Sequence, residues 1–76
     1  MERFGEKLRL LRKRRGMSLR KLADALGFNS HGYLGDLESG RRQPSLELAL
    51  NLADFFEVPL EQLARDELEL DEGDID

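Results

Sequence analysis

The side chains whose type and spacing suggest chemistry in this sequence are basic and hydrogen-bonding. Arg20 and Lys21 stand side by side, Arg41 and Arg42 form a second pair, and Arg12-Lys13-Arg14-Arg15 is an unbroken cationic run. Between the two pairs lie Asn29, Ser30, His31 and Tyr33, all able to donate and accept hydrogen bonds. Guanidinium forks match the oxygens of carboxylates and phosphates, so the set suits gripping an anion. Catalysis finds little to work with. There is no cysteine, hence no thiolate nucleophile, disulfide or thiolate metal site. One histidine without a second histidine or a cysteine is not a metal site. No glycine-rich phosphate loop follows a strand. The densest carboxylates lie in a solvated tail, where shifted pKa values are not expected. The sequence therefore predicts no enzyme, no catalytic residue, no cofactor and no metal.

Charge is unevenly distributed. The formal net charge is −4, but residues 1–65 hold all 12 Lys and Arg against nine carboxylates, giving +3. Residues 66–76 carry Asp66, Glu67, Glu69, Asp71, Glu72, Asp74 and Asp76 and no cation, giving −7. A mildly basic body is thus followed by an acidic tail. The body, 1–65, has the length of one domain. The tail, 66–76, has little to bury and is expected to fray. The longest apolar run, Leu48 to Val58, is broken by Asn51, Asp54 and Glu57, so no membrane span is predicted. No signal-peptide pattern opens the chain, and a cytoplasmic location fits.

These side chains must be positioned by helices. Phe4, Leu8 and Leu11, with Leu10 beside them, predict an amphipathic helix over Glu2–Arg15. Arg3, Lys7, Arg9 and the run Arg12–Arg15 crowd its remaining surface, densest where the helix dipole favours cations. Gly16 stops it. Ser18 is a cap candidate for a short second helix carrying Leu19, Leu22, Ala23 and Leu26, which Gly27 ends. A third helix is predicted from about Ser30 to Ser39, burying Tyr33, Leu34 and Leu37. Gly32 and Gly35 inside it each cost about 1 kcal/mol relative to Ala, so packing must hold it. Gly40 ends it, and Arg41-Arg42-Gln43-Pro44 reads as a loop. Ser45 caps a fourth helix to about Phe56, with Leu46, Ala49, Leu50, Leu52, Ala53 and Phe56 as its core face. Val58-Pro59 breaks that helix, and Leu60, Leu63 and Ala64 open a fifth, running to about Leu68 or Leu70. No strand-type alternation occurs, so the fold class is all-α.

The informative stretch is Leu19 to Glu38. Two short helices joined by a tight, glycine-bearing turn match the helix-turn-helix unit. Small Ala23 lets the helices cross closely. Leu34 and Leu37 pin the second to the core and leave its other side free for a DNA groove. The segments Gly16-Met17-Ser18-Leu19, Leu22-Ala23, Leu26-Gly27, Tyr33-Leu34 and Leu37-Glu38-Ser39-Gly40-Arg41-Arg42-Gln43-Pro44-Ser45-Leu46 together resemble the XRE-like, phage-repressor/Cro group. The resemblance runs from Phe4 to Ala64.

That resemblance implies a compact five-helix, lambda-repressor-like domain that acts as a sequence-specific transcriptional regulator of the repressor kind. Its third helix would enter the major groove of double-stranded DNA, on a palindromic operator bound by a homodimer. Carried over by position, base contacts fall to Ser30, His31 and Gly32, with Asp36 one turn later. Phosphate contacts fall to Arg20, Lys21, Asn29, Tyr33, Arg41 and Arg42. An ion pair between Arg12 and Glu38 is also implied, an arginine fork holding the recognition helix at a fixed angle. Two departures stand out. Leu19 occupies a position where the family often has a phosphate-contacting Gln. The interval from Gly27 to Leu34 is one residue longer than in the commonest form, the extra residue lying in Phe28-Asn29-Ser30. Asp36 would repel phosphates but can accept from a cytosine amino group.

The competing expectation is a protein-interaction module on the same fold, antitoxin-, antirepressor- or coactivator-like, for which Gly32, Gly35, Asp36 and the tail leave room. The tail itself can be a solubilising end, a surface for a basic protein partner, or a strap over the basic face that competes with DNA. Apolar Leu60, Leu63, Leu68 and Leu70 are the expected homodimer contact.

Overall fold

The apolar stripe read from the first residues is buried as expected. The computed structural model describes residues 1–71, and in it α1 (Phe4–Arg14) buries Phe4, Leu8 and Leu11. α2 (Leu19–Leu26) is capped by Ser18, whose hydroxyl accepts from the Lys21 amide at 3.1 Å, and buries Leu22 and Ala23. α3 (Gly32–Ser39) buries Leu34 and Leu37. α4 (Leu46–Phe56) is capped by Ser45, which accepts from the Leu48 amide at 3.1 Å. α5 (Leu60–Ala64) is a single short helix that buries Leu63. α1 packs on α3 and α5, α4 packs on α5, and α2 packs on α3, so α1 is the common support. There is no strand among the described residues, and no helix there is long and apolar enough to cross a membrane.

Three expectations change. The buried face of α4 is Leu48, Ala49, Leu52, Ala53 and Phe56, whereas Leu46 and Leu50 are 65% and 44% exposed. Each of those two lies about 200° round the helix from Leu48 or Leu52, so they cannot share the core face. α3 begins at Gly32 rather than Ser30, so the extra residue is absorbed by the turn and not by the helix. α5 ends at Ala64 rather than Leu68 or Leu70, because the backbone turns extended at Arg65.

The early end of α5 has a physical cause. Lys7, placed by its charge among the surface cations, is in fact only 2% exposed. Its Nζ donates to the carbonyls of Gln62, Arg65 and Leu68 at 2.6, 2.9 and 2.7 Å. An ammonium thus collects carbonyls at and past a helix C-terminus; among the described residues, only that of Arg65 also accepts from a backbone amide outside the helices, that of Leu68. The chain beyond follows α1 instead of fraying. Asp66 accepts from the amides of Glu2 and Arg3 at 3.0 and 2.9 Å, capping the start of α1 from the far end of the sequence. Arg3 grips Glu69 with Nη1 and Nη2 of its guanidinium, Arg14 donates to the Asp71 carbonyl at 2.8 Å, and Leu70 packs against the core. Residues 66–71 are therefore tied down, and the remaining tail carboxylates Glu72, Asp74 and Asp76 lie outside the described residues.

Candidate nucleic-acid interface

The geometry of α2 and α3 follows from two left-handed glycines. Gly27 at φ +84° lets the chain reverse after α2, with the Phe28 amide returning to the Ala23 carbonyl at 2.9 Å. Residues 28–31 then cross to α3, and Ser30 Oγ accepts from the Gly32 amide at 3.1 Å. His31 is the residue before the helix, and its side chain makes no capping bond. Gly40, also at φ +84°, turns the chain out of α3. The Arg41 and Arg42 amides both close on the Asp36 carbonyl, at 2.9 and 3.2 Å.

The residues singled out from sequence fall into two groups. Arg20, Asn29, Ser30 and His31 come together, with Ala23, Asp24 and Phe28, around one groove of about 330 Å³ at the turn. Asp36, Arg41 and Arg42 form a second group at the last turn of α3 and the loop after it, and reach back to Tyr33 in the first turn. There the Arg42 guanidinium lies 5.6 Å over the Tyr33 ring, which meets Phe28 edge-on at 5.8 Å. Lys21 is exposed on α2, outside both groups. The outer face of α3 presents Gly32, Gly35, Asp36 and Ser39 at helical spacing. A Cβ at Gly32 would meet only Ser30 Oγ at 3.5 Å, and one at Gly35 only Leu19 Cδ1 at 3.8 Å. The outer face of the helix is consequently low, with room for close approach. Asp36 does not simply point outward: its carboxylate stands 3.5 Å from Arg42 Nε and 3.9 Å from Arg41 Nη1.

α3 is fixed from behind by α1. Arg12 Nε and Nη2 donate to the two Glu38 oxygens at 2.7 and 3.1 Å, and Nη1 donates to the Met17 carbonyl at 2.7 Å. Both side chains are almost wholly buried, at 11% and 8% exposed. Glu38 holds the Arg12 guanidinium above its ordinary pKa, chiefly through these hydrogen bonds. One arginine thereby joins α1, the α1–α2 link and the end of α3.

Sequence comparison agrees with this architecture. The family model of the helix-turn-helix domain matches residues 3–66. The chain belongs to the helix-turn-helix domain family. It is 43% identical over 58 residues to the HTH-type transcriptional regulator AnsR of Bacillus subtilis, covering 76% of this chain and 49% of AnsR. It is 36% identical over 70 residues to the cryptic phage CTXphi transcriptional repressor RstR of Vibrio cholerae, covering 91% of this chain and 62% of RstR. The chain thus spans about half the length of AnsR and under two thirds of RstR. Among solved structures, the restriction-modification controller protein C.AhdI of Aeromonas hydrophila superposes with a TM-score of 0.71 at 35% identity, covering 82% of this chain and 92% of that one. The resemblance to XRE-like regulators drawn from the turn motifs is thereby borne out.

Sequence reasoning missed several residues that hold this helix-turn-helix domain together. Gly5 is buried where α1 meets the end of α3; a Cβ there would fall against the Leu37 carbonyl and 2.7 Å from that of Glu38. Lys7 was hidden by its charge, although it falls in the stripe Phe4, Lys7, Leu8, Leu11 at three-four spacing. Arg15 is not a free helix end: its guanidinium lies 5.1 Å from both the Phe55 and Phe56 rings. The expected dimer surface also needs correction. Leu63 is fully buried inside the domain, and Leu60 and Leu70 are both half-buried against the core, leaving Leu68, 37% exposed. The acidic tail as far as Asp71 makes its hydrogen bonds to α1, Arg65 and Gln62, away from Arg20, Lys21, Arg41 and Arg42.

Proposed function

We propose that this chain is a sequence-specific DNA-binding transcriptional regulator, of the repressor kind, that lays α3 in the major groove. The observation that carries the reading is the low, free outer face of a buried-side-anchored α3, flanked at both ends by exposed cations. Arg20 sits at one end, and Arg41 and Arg42, 80% and 62% exposed, at the other. In this reading Arg20, Lys21, Asn29, Tyr33, Arg41 and Arg42 hold phosphates and set position without reading sequence. Ser30, His31 and Gly32, at the leading end of the helix, read base edges. The protein acts in the cytoplasm on a palindromic operator as a homodimer, with exposed Leu68, flanked by half-buried Leu60 and Leu70, as the apolar contact. The names of AnsR and RstR, as a transcriptional regulator and a transcriptional repressor, support the assignment.

A second reading has one observation in its favour. Gly32 and Gly35 give α3 few base-reading side chains, which suits a protein-interaction module. Selection of bound sequences from a random duplex pool separates the two. A regulator enriches a two-fold symmetric sequence with half-sites about one helical turn, or a multiple, apart, and its affinity falls steeply between about 50 and 200 mM salt. Enrichment of no sequence above the starting pool refutes the proposal.

A further inference from the structure

We infer that Asp36 is a specificity-determining positioning residue: its carboxylate holds Arg41 and Arg42 back and so suppresses indiscriminate binding to DNA backbone. The inference rests on the DNA-binding reading above and deepens it. Asp36 is the one charged group on the outer face of α3, since Glu38 is committed to Arg12. Its oxygens stand 3.5 Å from Arg42 Nε and 3.9 Å from Arg41 Nη1. The pairing is not accidental in its local geometry. The left-handed turn at Gly40 brings both arginine amides onto the Asp36 carbonyl, so the loop starts directly beside the carboxylate. Arg42 is further steadied over the Tyr33 ring.

An exposed ion pair of this kind contributes little to folding. It matters when a polyanion arrives. Each arginine that turns to a phosphate leaves Asp36, and the carboxylate then stands uncompensated within a Debye length of the DNA backbone. Every duplex meets that repulsion. It is offset where the groove offers Asp36 a donor, and the cytosine amino group does so best, because the adenine amino group lies beside the N7 acceptor, which repels a carboxylate. Asp36 therefore weakens binding to all sequences and weakens it least at sites that place a cytosine under the helix.

Asp36→Asn removes the charge and keeps the size. The turn depends on the Asp36 main-chain carbonyl, so the fold is retained, which thermal melting checks directly. Binding to a random-sequence duplex is measured by fluorescence anisotropy across a salt series. The variant is expected to bind about fivefold more tightly at low salt. Its log–log salt slope is expected to steepen by about 0.9 for each arginine released to a phosphate. Asp36→Glu, which retains the charge, keeps a slope near the parent value. Arg42→Ala then costs more affinity in the Asp36→Asn background than in the parent. Equal random-duplex affinity and slope for the parent and Asp36→Asn overturn this inference alone. Binding of no duplex by any of the proteins overturns it together with the DNA-binding reading.

Discussion

Replacing Lys7 by Met tests whether a buried cation, rather than apolar packing alone, holds the C-terminal part of this domain. Methionine keeps the length and flexibility of the side chain and has similar helix propensity, so the substitution isolates the ammonium group. In the parent, Nζ donates to three carbonyls at 2.6, 2.9 and 2.7 Å from a side chain that is 2% exposed. A hydrogen bond to a charged group contributes roughly 1.5–3 kcal/mol, but desolvation of the ammonium cancels much of the sum. Loss of the cation also leaves the carbonyls of Gln62 and Leu68 to find water at the domain edge, while that of Arg65 keeps the Leu68 amide. We expect a net destabilisation of about 3 kcal/mol. A chain of this length has a total stability of roughly 4–11 kcal/mol, so the loss is a large fraction. At about 4–8 °C per kcal/mol, Tm falls by roughly 12–24 °C. Circular dichroism melting gives the number, and amide hydrogen exchange gives its location, with protection lost first at Arg65 and Leu68. Exposed Lys13→Met serves as the control and leaves Tm in place. A Lys7→Met protein whose Tm lies within about 4 °C of the parent, with the Arg65 and Leu68 amides still protected, refutes the reasoning.

Two glycines on facing helices are expected to respond with opposite signs to the same substitution. Gly5→Ala places a Cβ against main-chain carbonyls that cannot swing away and destabilises by about 1–3 kcal/mol. Gly35→Ala meets nothing nearer than Leu19 Cδ1 at 3.8 Å and stabilises by about 1 kcal/mol through helix propensity; thermal melts of both variants decide the pair. Glu57 ends α4 at φ +58°, so Glu57→Gly relieves a left-handed side chain and raises Tm by a few degrees, about 4 °C or more, in the same assay. Acid melting reports on the strap. Asp66 and Glu69 are held below their ordinary pKa values, Asp66 by the Arg3 and Glu2 amides and Glu69 by the Arg3 guanidinium. Carboxylates depressed in the fold contribute stability above the usual carboxylate range and lose it as pH falls through their folded values. Stability therefore declines on acidification below the carboxylate reference values of 3.8 and 4.5, and Asp66→Asn flattens that decline. An Asp66→Asn acid profile that superposes on the parent rules this out.

What could be read from sequence was set by local rules. Ser18 and Ser45 as caps, Gly27 and Gly40 as left-handed stops and the α1 stripe follow from hydrogen-bond and steric constraints that act within a few residues. Family resemblance supplied the Arg12–Glu38 pairing, whose members are 26 residues apart. The rest depended on contacts between distant segments. Leu48 and Leu50 are chemically identical, and only the side of α4 that faces the rest of the core decides which is buried. Lys7 looks like surface charge until the carbonyls at the end of α5 are known to lie over it. The acidic tail looks unstructured because its carboxylates have no partner nearby in sequence, although Arg3, 63 residues away, gives Asp66 its amide and Glu69 its guanidinium.

The use made of α1 explains why the tail and α3 need not compete. One side of α1, through Gly5 and Arg12, sets the depth and angle of α3. Another, through Arg3, Lys7 and Arg14, holds the α5 end and residues 66–71. A strap covering Arg20, Lys21, Arg41 and Arg42 would have to break the Asp66 cap and the Arg3–Glu69 grip, both of which favour the ionised carboxylate. Among the described residues the acidic charge is thus spent on stabilising the frame. Loosening the strap should change how easily the domain unfolds while leaving the affinity of each folded molecule for DNA as it was. An Asp66→Asn protein that bound duplex more tightly at low salt, at a temperature where both proteins are fully folded, would show that the tail reaches the α3 face after all.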